Sequence, residues 1–492
     1  MIENLKTKYK LIFFLLLLAV SLTAMAQPHL EISAPTKLTG KASRFKIIGK
    51  NQDGYVVRFF GSTDVLQSFS SDLKLLATRT IDFKNQIGLI QHLQLNKTGA
   101  TAFYLSGDKK GIALIAQPLS TRFVENGKAV AIDSIFDKPD FASVNLRVKQ
   151  SLNQQYTLFY YPYFRGEKIE SILFMCVDRA LHKVYTRRLK LDRPDYEIET
   201  ARFVVANNGC AYAIFLNSKE KANHTHGENF SVYKMVPEVE DIYETQIAID
   251  KNLFGNFYFD ADNVNNNVVL SGLFDDDNIT NEPAAYGFFF TSLNADSGSL
   301  NAVKYTAFNA DFMQELTGRA NQEPRLFTFN ISNVILRNDG GALIVAESLV
   351  KDSRETVFNS QFSPTFNSIQ RINIYQYNDI IAFSLKPDGT VDWHVTMRKK
   401  QASEEDNGIF SSFLTVNERD KLRFLYLDEI STAASLREYV MNSSGKVANN
   451  NLLYQENMDV MLLPKAGKQV APDEVVLPSY LRNQFRILKI TF

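Results

Sequence analysis

Short apolar runs recur along the chain, and successive runs are separated by tight polar turns. In the first example, residues 45–48 are followed by an Asn-Gln-Asp-Gly turn at 51–54 and by a second apolar run at 55–60. Residues 334–336, 338–341 and 342–350 repeat this order. Asn and Asp tolerate left-handed backbone and Gly takes positive φ without steric cost, so each such unit predicts a β-hairpin.

The unit recurs about eight times, and in each copy a variable loop and two further strands follow the hairpin. The second strands are apolar on both faces, which is typical of strands packed between neighbouring sheets. This pattern indicates the four-stranded blades of a β-propeller. The predicted blades start near residues 45, 91, 144, 200, 256, 327, 410 and 459.

The eighth unit lacks a strand. It offers apolar runs at 460–463, 475–477 and 485–490 before the sequence ends. Residues 29–33 can supply a fourth strand, which would close the ring and remove its exposed edges. The predicted fold is therefore all-β, a single propeller over residues 27–492 with eight blades favoured and seven also open. A closed outer-membrane sheet, whose strands need ~9–11 residues, and two stacked β-sandwiches are the competing architectures.

The first 26 residues have the pattern of a cleaved signal peptide. Three lysines among residues 6–10 precede an apolar run at 11–20, and an Ala-Met-Ala site at 24–26 precedes Gln27. We therefore expect a periplasmic or secreted protein; an uncleaved membrane anchor is the alternative. No cysteine follows the apolar run, which argues against a lipoprotein. No later stretch approaches 18 apolar residues, so no transmembrane segment is expected in the mature chain.

The composition argues against nucleic-acid binding and does not decide whether the two cysteines form a disulfide. The chain has 54 basic and 54 acidic residues, so it has no positive surplus with which to bind nucleic acid. Cys176 and Cys210 are too few for a disulfide framework. One disulfide between neighbouring blades and two buried free thiols are both consistent with the sequence.

The long polar segments fall on one side of the predicted disc. In an antiparallel four-stranded blade, the connections from second to third strand and from blade to blade emerge on the same face. Residues 217–229, 275–284, 309–325, 351–370 and 399–408 all belong to these two kinds of connection. Since function on repeat scaffolds concentrates in such loops, we expect this face to bind a partner.

Aromatic, basic and histidine side chains on these segments are the candidate partner contacts. They come from an aromatic run, a His-Thr-His loop, a segment of helical composition at 310–316 and phenylalanines at four-residue spacing. Their alternative role is packing on their own scaffold. The candidates are Tyr163, Phe164, Arg165, His224, His226, Phe312, Phe358, Phe362 and Phe366.

One acidic loop suggests a cation. Asp275, Asp276 and Asp277, followed by Glu282, offer the oxygen ligands that Ca²⁺ prefers. The spacing is not that of an EF-hand, and a solvated acidic turn is the alternative. No other cofactor is expected.

No Gly-x-Ser-x-Gly elbow, His-Glu-x-x-His, P-loop or dinucleotide fingerprint occurs in the sequence. We therefore expect a non-catalytic binding or scaffold module of the cell envelope, whose variable loop face engages a protein partner such as an outer-membrane assembly. One alternative is a glycan-active enzyme with carboxylates at the central pocket, which would leave no local motif. Another is a structural propeller stabilised by a cation at residues 275–277.

Two parts of the chain resemble secreted, propeller-like proteins of Bacteroidota whose function is unknown. The first comprises Tyr-Asn-Asp-Ile-Ile at 377–381, Lys-Pro-Asp-Gly-Thr-Val-Asp-Trp at 386–393 and Lys-Lys-Gln at 399–401. The second comprises Leu-Leu-Pro-Lys at 462–465 and Leu-Lys-Ile-Thr-Phe at 488–492. The resemblance implies a propeller and an envelope location, and it transfers no catalytic residue.

Overall fold

Eight antiparallel sheets form a ring in the computed structural model, which describes residues 28–37, 42–108, 111–136, 146–217, 227–276, 283–319, 323–359, 367–456 and 458–492. Six sheets have four strands and two have five. The first strands of successive blades lie beside one another around a central channel. The predicted all-β, eight-bladed propeller is therefore confirmed. No helix within these ranges has the length and apolar character needed to cross a membrane.

Blades 1 to 7 are built in chain order from the channel outwards, and in blade 8 the outermost strand is the N-terminal one. Blade 1 contains Ala42–Lys50, Gly54–Gly61, Asp64–Ser70 and Leu75–Ile81. Blade 2 contains Gln86–Asn96, Gly99–Asp108, Gly111–Ser120 and Val130–Phe136. Blade 3 contains Arg147–Gln150, Tyr156–Arg165, Lys168–Asp178 and Lys183–Pro194, and blade 4 contains Arg202–Val205, Ala211–Leu216, Glu228–Met235 and Ile242–Ile249. Blade 5 contains Asn252–Asp262, Asn267–Asp275, Gly287–Asn294 and Lys304–Ala307, and blade 6 contains Phe329–Leu336, Ala342–Asn359, Asn367–Leu385, Val391–Met397 and the short Gln401–Glu404. Blade 7 contains Phe413–Asn417, Lys421–Leu427, Ser435–Asn442 and Val447–Tyr454. Blade 8 contains Lys468–Ala471, Glu474–Leu481, Gln484–Thr491, His29–Ile32 and the two-residue Thr36–Lys37. Within the described ranges, the helices are Glu197–Thr200, Ala310–Thr317 and the 3₁₀ turn Pro464–Ala466.

Local turn chemistry explains the hairpins. In blade 1, the Asn51 side chain accepts hydrogen bonds from the backbone N–H groups of Asp53 and Gly54, at 3.0 and 3.2 Å. Gly54 has φ +138°, and a Cβ there would lie 2.0 Å from the carbonyl oxygen of Phe69. Only glycine fits this position, so the turn is fixed by two residues of the sequence.

The core consists of apolar layers between blades. Phe103 of blade 2 and Phe159 of blade 3 are fully buried, with ring centroids 5.1 Å apart. Phe59 of blade 1 meets Phe485 of blade 8 edge-on at 4.8 Å. Each sheet is therefore buried on both faces by its neighbours, which explains the second strands that are apolar on both sides.

The N-terminal strand closes the ring. His29–Ile32 pairs antiparallel with Gln484–Thr491, from His29 opposite Thr491 to Ile32 opposite Leu488. Ser33 continues this contact, because its N–H donates to the Ile487 carbonyl at 2.9 Å and its hydroxyl accepts from the Ile487 N–H at 3.1 Å. The outermost strand of the last blade thus comes from residues 29–32, far from the rest of that blade in the sequence.

The inner edge of blade 8 differs from the sequence prediction. Its first strand is Lys468–Ala471, and it does not start near residue 459. Residues 460–463 lie along the same edge but make only a single bridge, between Leu462 and Ser479. Pro464 has no N–H to continue the ladder and begins a 3₁₀ turn. The edge is therefore split into two short pieces.

Both cysteines are free and buried, so the structure selects the thiol alternative over the disulfide. Burial raises the pKa of Cys176 to about 12 and also raises the pKa of Cys210. Neither thiol is therefore an activated nucleophile.

A buried ion pair joins blade 6 to the segment that enters blade 7. The Lys399 ammonium, whose side chain is fully buried, lies 2.7 Å from a Glu347 carboxylate oxygen. It also donates to the Tyr377 carbonyl at 2.9 Å and to the Gln401 side chain at 2.8 Å. The other Glu347 oxygen accepts from the Ser412 hydroxyl at 2.6 Å. Burial lowers the pKa of Lys399, and the Glu347 charge opposes this effect.

Removing the closing strand should destabilise the whole disc. A chain that begins at Thr36 leaves residues 488–491 at the outer edge of Gln484–Thr491 without their partner strand, so we expect a lower melting temperature and concentration-dependent association through that edge. Scanning calorimetry and analytical ultracentrifugation of this chain and of one that begins at Pro28 measure both effects. An unchanged melting temperature with a monomeric truncated chain would contradict the closing role.

Breaking the buried Lys399–Glu347 pair should lower the free energy of unfolding substantially. Lys399→Met leaves the Glu347 carboxylate buried without its counter-charge, so we expect unfolding in urea to show a loss of about 3–5 kcal/mol. Lys400→Met, at the exposed neighbouring position, is the matched control and should change stability by less than about 0.5 kcal/mol. Equal losses in the two variants would show that the pair contributes nothing specific.

Candidate functional site

The two faces of the disc carry different connections. One face, here called the short-turn face, carries the connections from first to second and from third to fourth strands, of which residues 121–129 and 295–303 are the longest. The other, the long-loop face, carries the remaining connections, including residues 308–328, 398–412 and 455–467. The variable material therefore lies on one side of the scaffold.

A hairpin extends from the long-loop side of blade 6. Its strands, Ala342–Asn359 and Asn367–Leu385, have 18 and 19 residues, whereas the second strand of blade 2 has 10 and that of blade 4 has 6. Pairing continues without interruption from Leu349 opposite Tyr377 to Asn359 opposite Asn367. We call residues 349–359 and 367–377 the hairpin arm. The sequence segment 351–370, expected as a loop, is therefore largely paired strand.

The base of the hairpin arm is anchored. A register shift lies between Glu347 and Leu349, and Asp379 in the resulting bulge accepts from the Arg398 guanidinium at 2.7 Å and from the Lys399 N–H at 3.1 Å. Gln401–Glu404 forms a short third strand against residues 374–377. The arm thus leaves the blade in a fixed direction.

Farther out, one strand of the arm has an open edge. Within the ranges that the structure describes, residues 350–359 pair only with residues 367–376. Lys351, Asp352, Arg354 and Glu355 are exposed along this strand. Charged side chains on an open edge hinder uncontrolled strand pairing while leaving the backbone groups available.

The aromatic run of blade 3 also ends on the long-loop face. Phe164 is 50% exposed and Arg165 lies beside it, 4.0 Å from Glu170. Tyr163 is half-buried, and the Arg188 guanidinium lies 4.3 Å from its ring centroid. Of these three predicted contacts, Phe164 and Arg165 present the most surface.

Phe312 occupies a different environment from its neighbours on that face. It lies in the Ala310–Thr317 helix, which the Asn309 side chain caps by accepting the Phe312 N–H at 2.8 Å. Its ring is 1% exposed and packs 4.8 Å from Phe383. The predicted helix is present, and Phe312 packs it against the blade beneath. This ring is therefore a core contact and not a surface contact for a partner.

The remaining candidates lie partly outside the described residues. His224, His226, Phe362 and Phe366 are outside them, as are Asp277 and Glu282 of the predicted cation loop and the side chain of Phe358. Asp276 is described, and its carboxylate lies 2.7 Å from the Lys251 ammonium; Asp275 is buried at the end of a strand. Among the residues with described positions, no three His, Cys, Asp or Glu side chains are grouped to hold a metal ion.

A basic cavity in the central channel was not foreseen from the sequence. It has a volume of about 530 Å³ and lies among the first strands of blades 8, 1, 2 and 3. Its described lining contains Lys46, Lys50, Arg58, Lys149 and Lys468 but no Asp or Glu. The residues that form it are far apart in the sequence, with Lys46 and Lys468 separated by 422 positions, so no local motif marks the site.

Two of these cations are neutralised locally and the others are not. Arg58 lies 2.6 Å from the buried Asp64 carboxylate, and Lys50 lies 2.9 Å from Glu474. Lys46 and Lys149 are exposed to the channel and form no ion pair with a described carboxylate. Lys468 donates to the Ile48 carbonyl at 2.6 Å. Desolvation of the Lys468 ammonium, reinforced by the charge of Lys46, lowers the Lys468 pKa.

His92 completes the wall between Lys46 and Lys149. Its ring contacts Phe103 and Phe159, with centroids 5.9 and 6.4 Å apart. Its Nε2 is buried and has no hydrogen-bond partner among the described atoms. Burial, assisted by the positive charges of Lys46, Arg58 and Lys468, lowers the pKa of His92 to about 4. The imidazole is therefore neutral at physiological pH.

The cavity does not contain the carboxylate pair expected for a glycan-active enzyme. Asp260, on the first strand of blade 5, is an acid near Lys149, whose charge acts on its pKa. Asp260 accepts from the Tyr258 hydroxyl at 3.2 Å and from the Ala261 N–H at 2.8 Å, and burial raises its pKa. Asp260 is therefore hydrogen-bonded within its own blade, whereas the cavity wall is lined by cationic and amide side chains.

The low pKa of His92 predicts a pH-dependent stability. Between about pH 6.5 and 4 the unfolded chain binds a proton at His92 that the folded chain does not, so stability falls as the pH falls through this window. The loss should be of the order of 3 kcal/mol. It is measured as the difference between wild type and His92→Gln in urea unfolding, with the exposed His182→Gln as control. An NMR titration placing the His92 pKa near 6.5 would contradict the assignment.

Comparisons with known proteins identify similar folds and no family. No family model and no curated protein matches the chain. Among solved structures, the WD40 domain of SCAP from fission yeast is 10% identical, with coverage of 94% of this chain and 98% of that one and a TM-score of 0.40. The polysaccharide lyase Uly1 is 10% identical over 94% and 99% of the two chains, with a TM-score of 0.36. Prolyl oligopeptidase B from Galerina marginata is 9% identical over 92% of this chain and 55% of that one, with a TM-score of 0.37.

Proposed function

We propose that the protein is a non-catalytic binding module of the cell envelope, exported by its signal peptide, which engages a protein partner through its long-loop face. The observation that carries this proposal is the hairpin arm, paired from Leu349–Tyr377 to Asn359–Asn367 and open along residues 350–359. An isolated two-stranded hairpin is marginally stable in water. A partner that adds to it would complete the structure.

Strand addition is the mode of recognition that this geometry favours. An open edge offers a row of backbone N–H and C=O groups, and an extended segment of a partner can pair with them while side chains select the register. The exposed charges of Lys351, Asp352, Arg354 and Glu355 suit a polar partner surface. Phe164, exposed on the same face, adds an aromatic contact of the kind enriched at interfaces.

A rigid scaffold improves such binding. The arm base is held by the Asp379 contacts to Arg398 and Lys399 and by the short strand Gln401–Glu404. Because the arm is already positioned, less conformational entropy is lost when a partner docks. We do not propose the glycan-active alternative, because the described lining of the central cavity carries lysines and no carboxylate.

Shortening the arm tests this function. Asp352 and Ile374 are cross-strand partners, so residues 353–373 can be replaced by an Asn-Gly turn that suits a two-residue hairpin loop. In affinity capture from the native envelope after mild crosslinking, we expect the partner bound by wild type to be recovered at least tenfold less by this variant. The double variant Lys128→Glu/Lys446→Glu, which changes two exposed positions on the short-turn face, should capture it normally.

A position-specific crosslink distinguishes docking from indirect loss. A photo-reactive side chain at the exposed position 351 should form a covalent adduct with the same partner, whereas one at position 446 should not. Unchanged melting temperatures show that both variants are folded. Equal capture by the shortened arm, or adducts from position 446 alone, would contradict the proposal.

A further inference from the structure

We propose that the central cavity between blades 8, 1, 2 and 3 binds a small multivalent oxyanion, whose negative groups are held by Lys46, Lys149 and Lys468. The site is separate from the long-loop face and does not depend on a protein partner. It rests on the volume of the cavity, the uncompensated cations and two unsatisfied polar groups in its wall.

The charge in this cavity calls for a counter-ion. Lys46, Lys149 and Lys468 come from three different blades and face one cavity of about 530 Å³. None of them forms an ion pair with a described carboxylate, whereas Arg58 and Lys50 in the same wall do so at 2.6 and 2.9 Å. Like charges gathered at one site are unfavourable unless an anion joins them. Desolvation lowers the pKa of Lys468, and the positive charge of Lys46 lowers it further.

The wall also holds polar atoms that lack partners. The Nε2 atoms of His92 and Gln150 are buried and form no hydrogen bond with any described residue, and both residues line the cavity. A buried donor left unsatisfied is unfavourable, because it loses its hydrogen bonds to water and gains none in return. Oxygen atoms of a bound ligand would satisfy them, the neutral imidazole donating through its Nε2–H.

Size and spacing define the class of ligand. The volume falls within the ~300–1,000 Å³ typical of small-molecule sites and exceeds what one inorganic ion fills. Lysines on three blades are best matched by two or more anionic groups on one molecule. The expected ligand is therefore a small acid with several carboxylate, sulfate or phosphate groups; a neutral sugar of equal size would leave the lysine charges uncompensated.

Calorimetric titration of the full mature chain at low ionic strength tests the site. The probes are pyrophosphate for phosphate chemistry, citrate for small polycarboxylates, a digalacturonate for acidic saccharides and maltose as the neutral comparison. We expect at least one anion to bind with a 1:1 stoichiometry and to bind less tightly at 0.5 M salt. Maltose should not bind. The preferred anion identifies the ligand class.

Matched charge variants separate a site from a general effect. Lys46→Gln/Lys149→Gln should weaken binding of the preferred anion at least tenfold, whereas the peripheral pair Lys128→Gln/Lys446→Gln should not. Without ligand, the first double variant should melt at the same temperature as wild type or higher, because it removes repulsion. The imidazole NMR signals of His92 should shift on binding.

Three outcomes would overturn the site. They are the absence of binding for every anion, equal weakening by the cavity and peripheral variants, and a lower melting temperature of the ligand-free cavity variant. The last result would show that the lysines stabilise the fold.

Discussion

The structure depends on the burial of every blade face against the next blade. Phe103 against Phe159 and Phe59 against Phe485 are examples of rings that belong to different sheets and share one apolar layer. A sheet with two apolar faces is insoluble alone, so no blade is stable without both neighbours. The ring of blades must therefore be closed, and the pairing of His29–Ile32 with Gln484–Thr491 completes the last blade of that ring.

The same ring geometry concentrates charge at its centre. The first strands come together around the channel, so side chains from distant parts of the sequence meet there. In the wall formed by blades 8, 1, 2 and 3, Arg58 has Asp64 and Lys50 has Glu474, which shows that the fold can neutralise a cation at this depth. Lys46 and Lys149 lie in the same wall and form no ion pair with a described carboxylate, so the ring brings positive charges together there without neutralising all of them.

Local sequence patterns were sufficient to predict the blades but not to predict the hairpin arm or the lysine cavity. Asn-Gly and Asp-Gly turns between apolar runs act over a few residues, so the hairpins and the eight-fold repeat could be predicted. The split inner edge of blade 8 depends on Pro464, whose effect on the ladder is tertiary. The hairpin arm was expected to be a loop because its strands are polar and their stability comes from pairing across many residues. The lysine cavity required knowledge of which blades are neighbours.

The buried pair of Lys399 and Glu347 connects the scaffold to the hairpin arm. Lys399 donates to the carbonyl of Tyr377, the last residue of the arm, and the backbone N–H of Lys399 binds the Asp379 carboxylate in the adjacent bulge. Glu347 immediately precedes the register shift from which the arm extends. A hydrophobic pair of similar volume would stabilise the junction as well or better, but it would not satisfy these polar atoms. The ion pair thus helps to hold the base of the arm in place, which is the support that the proposed binding edge would need.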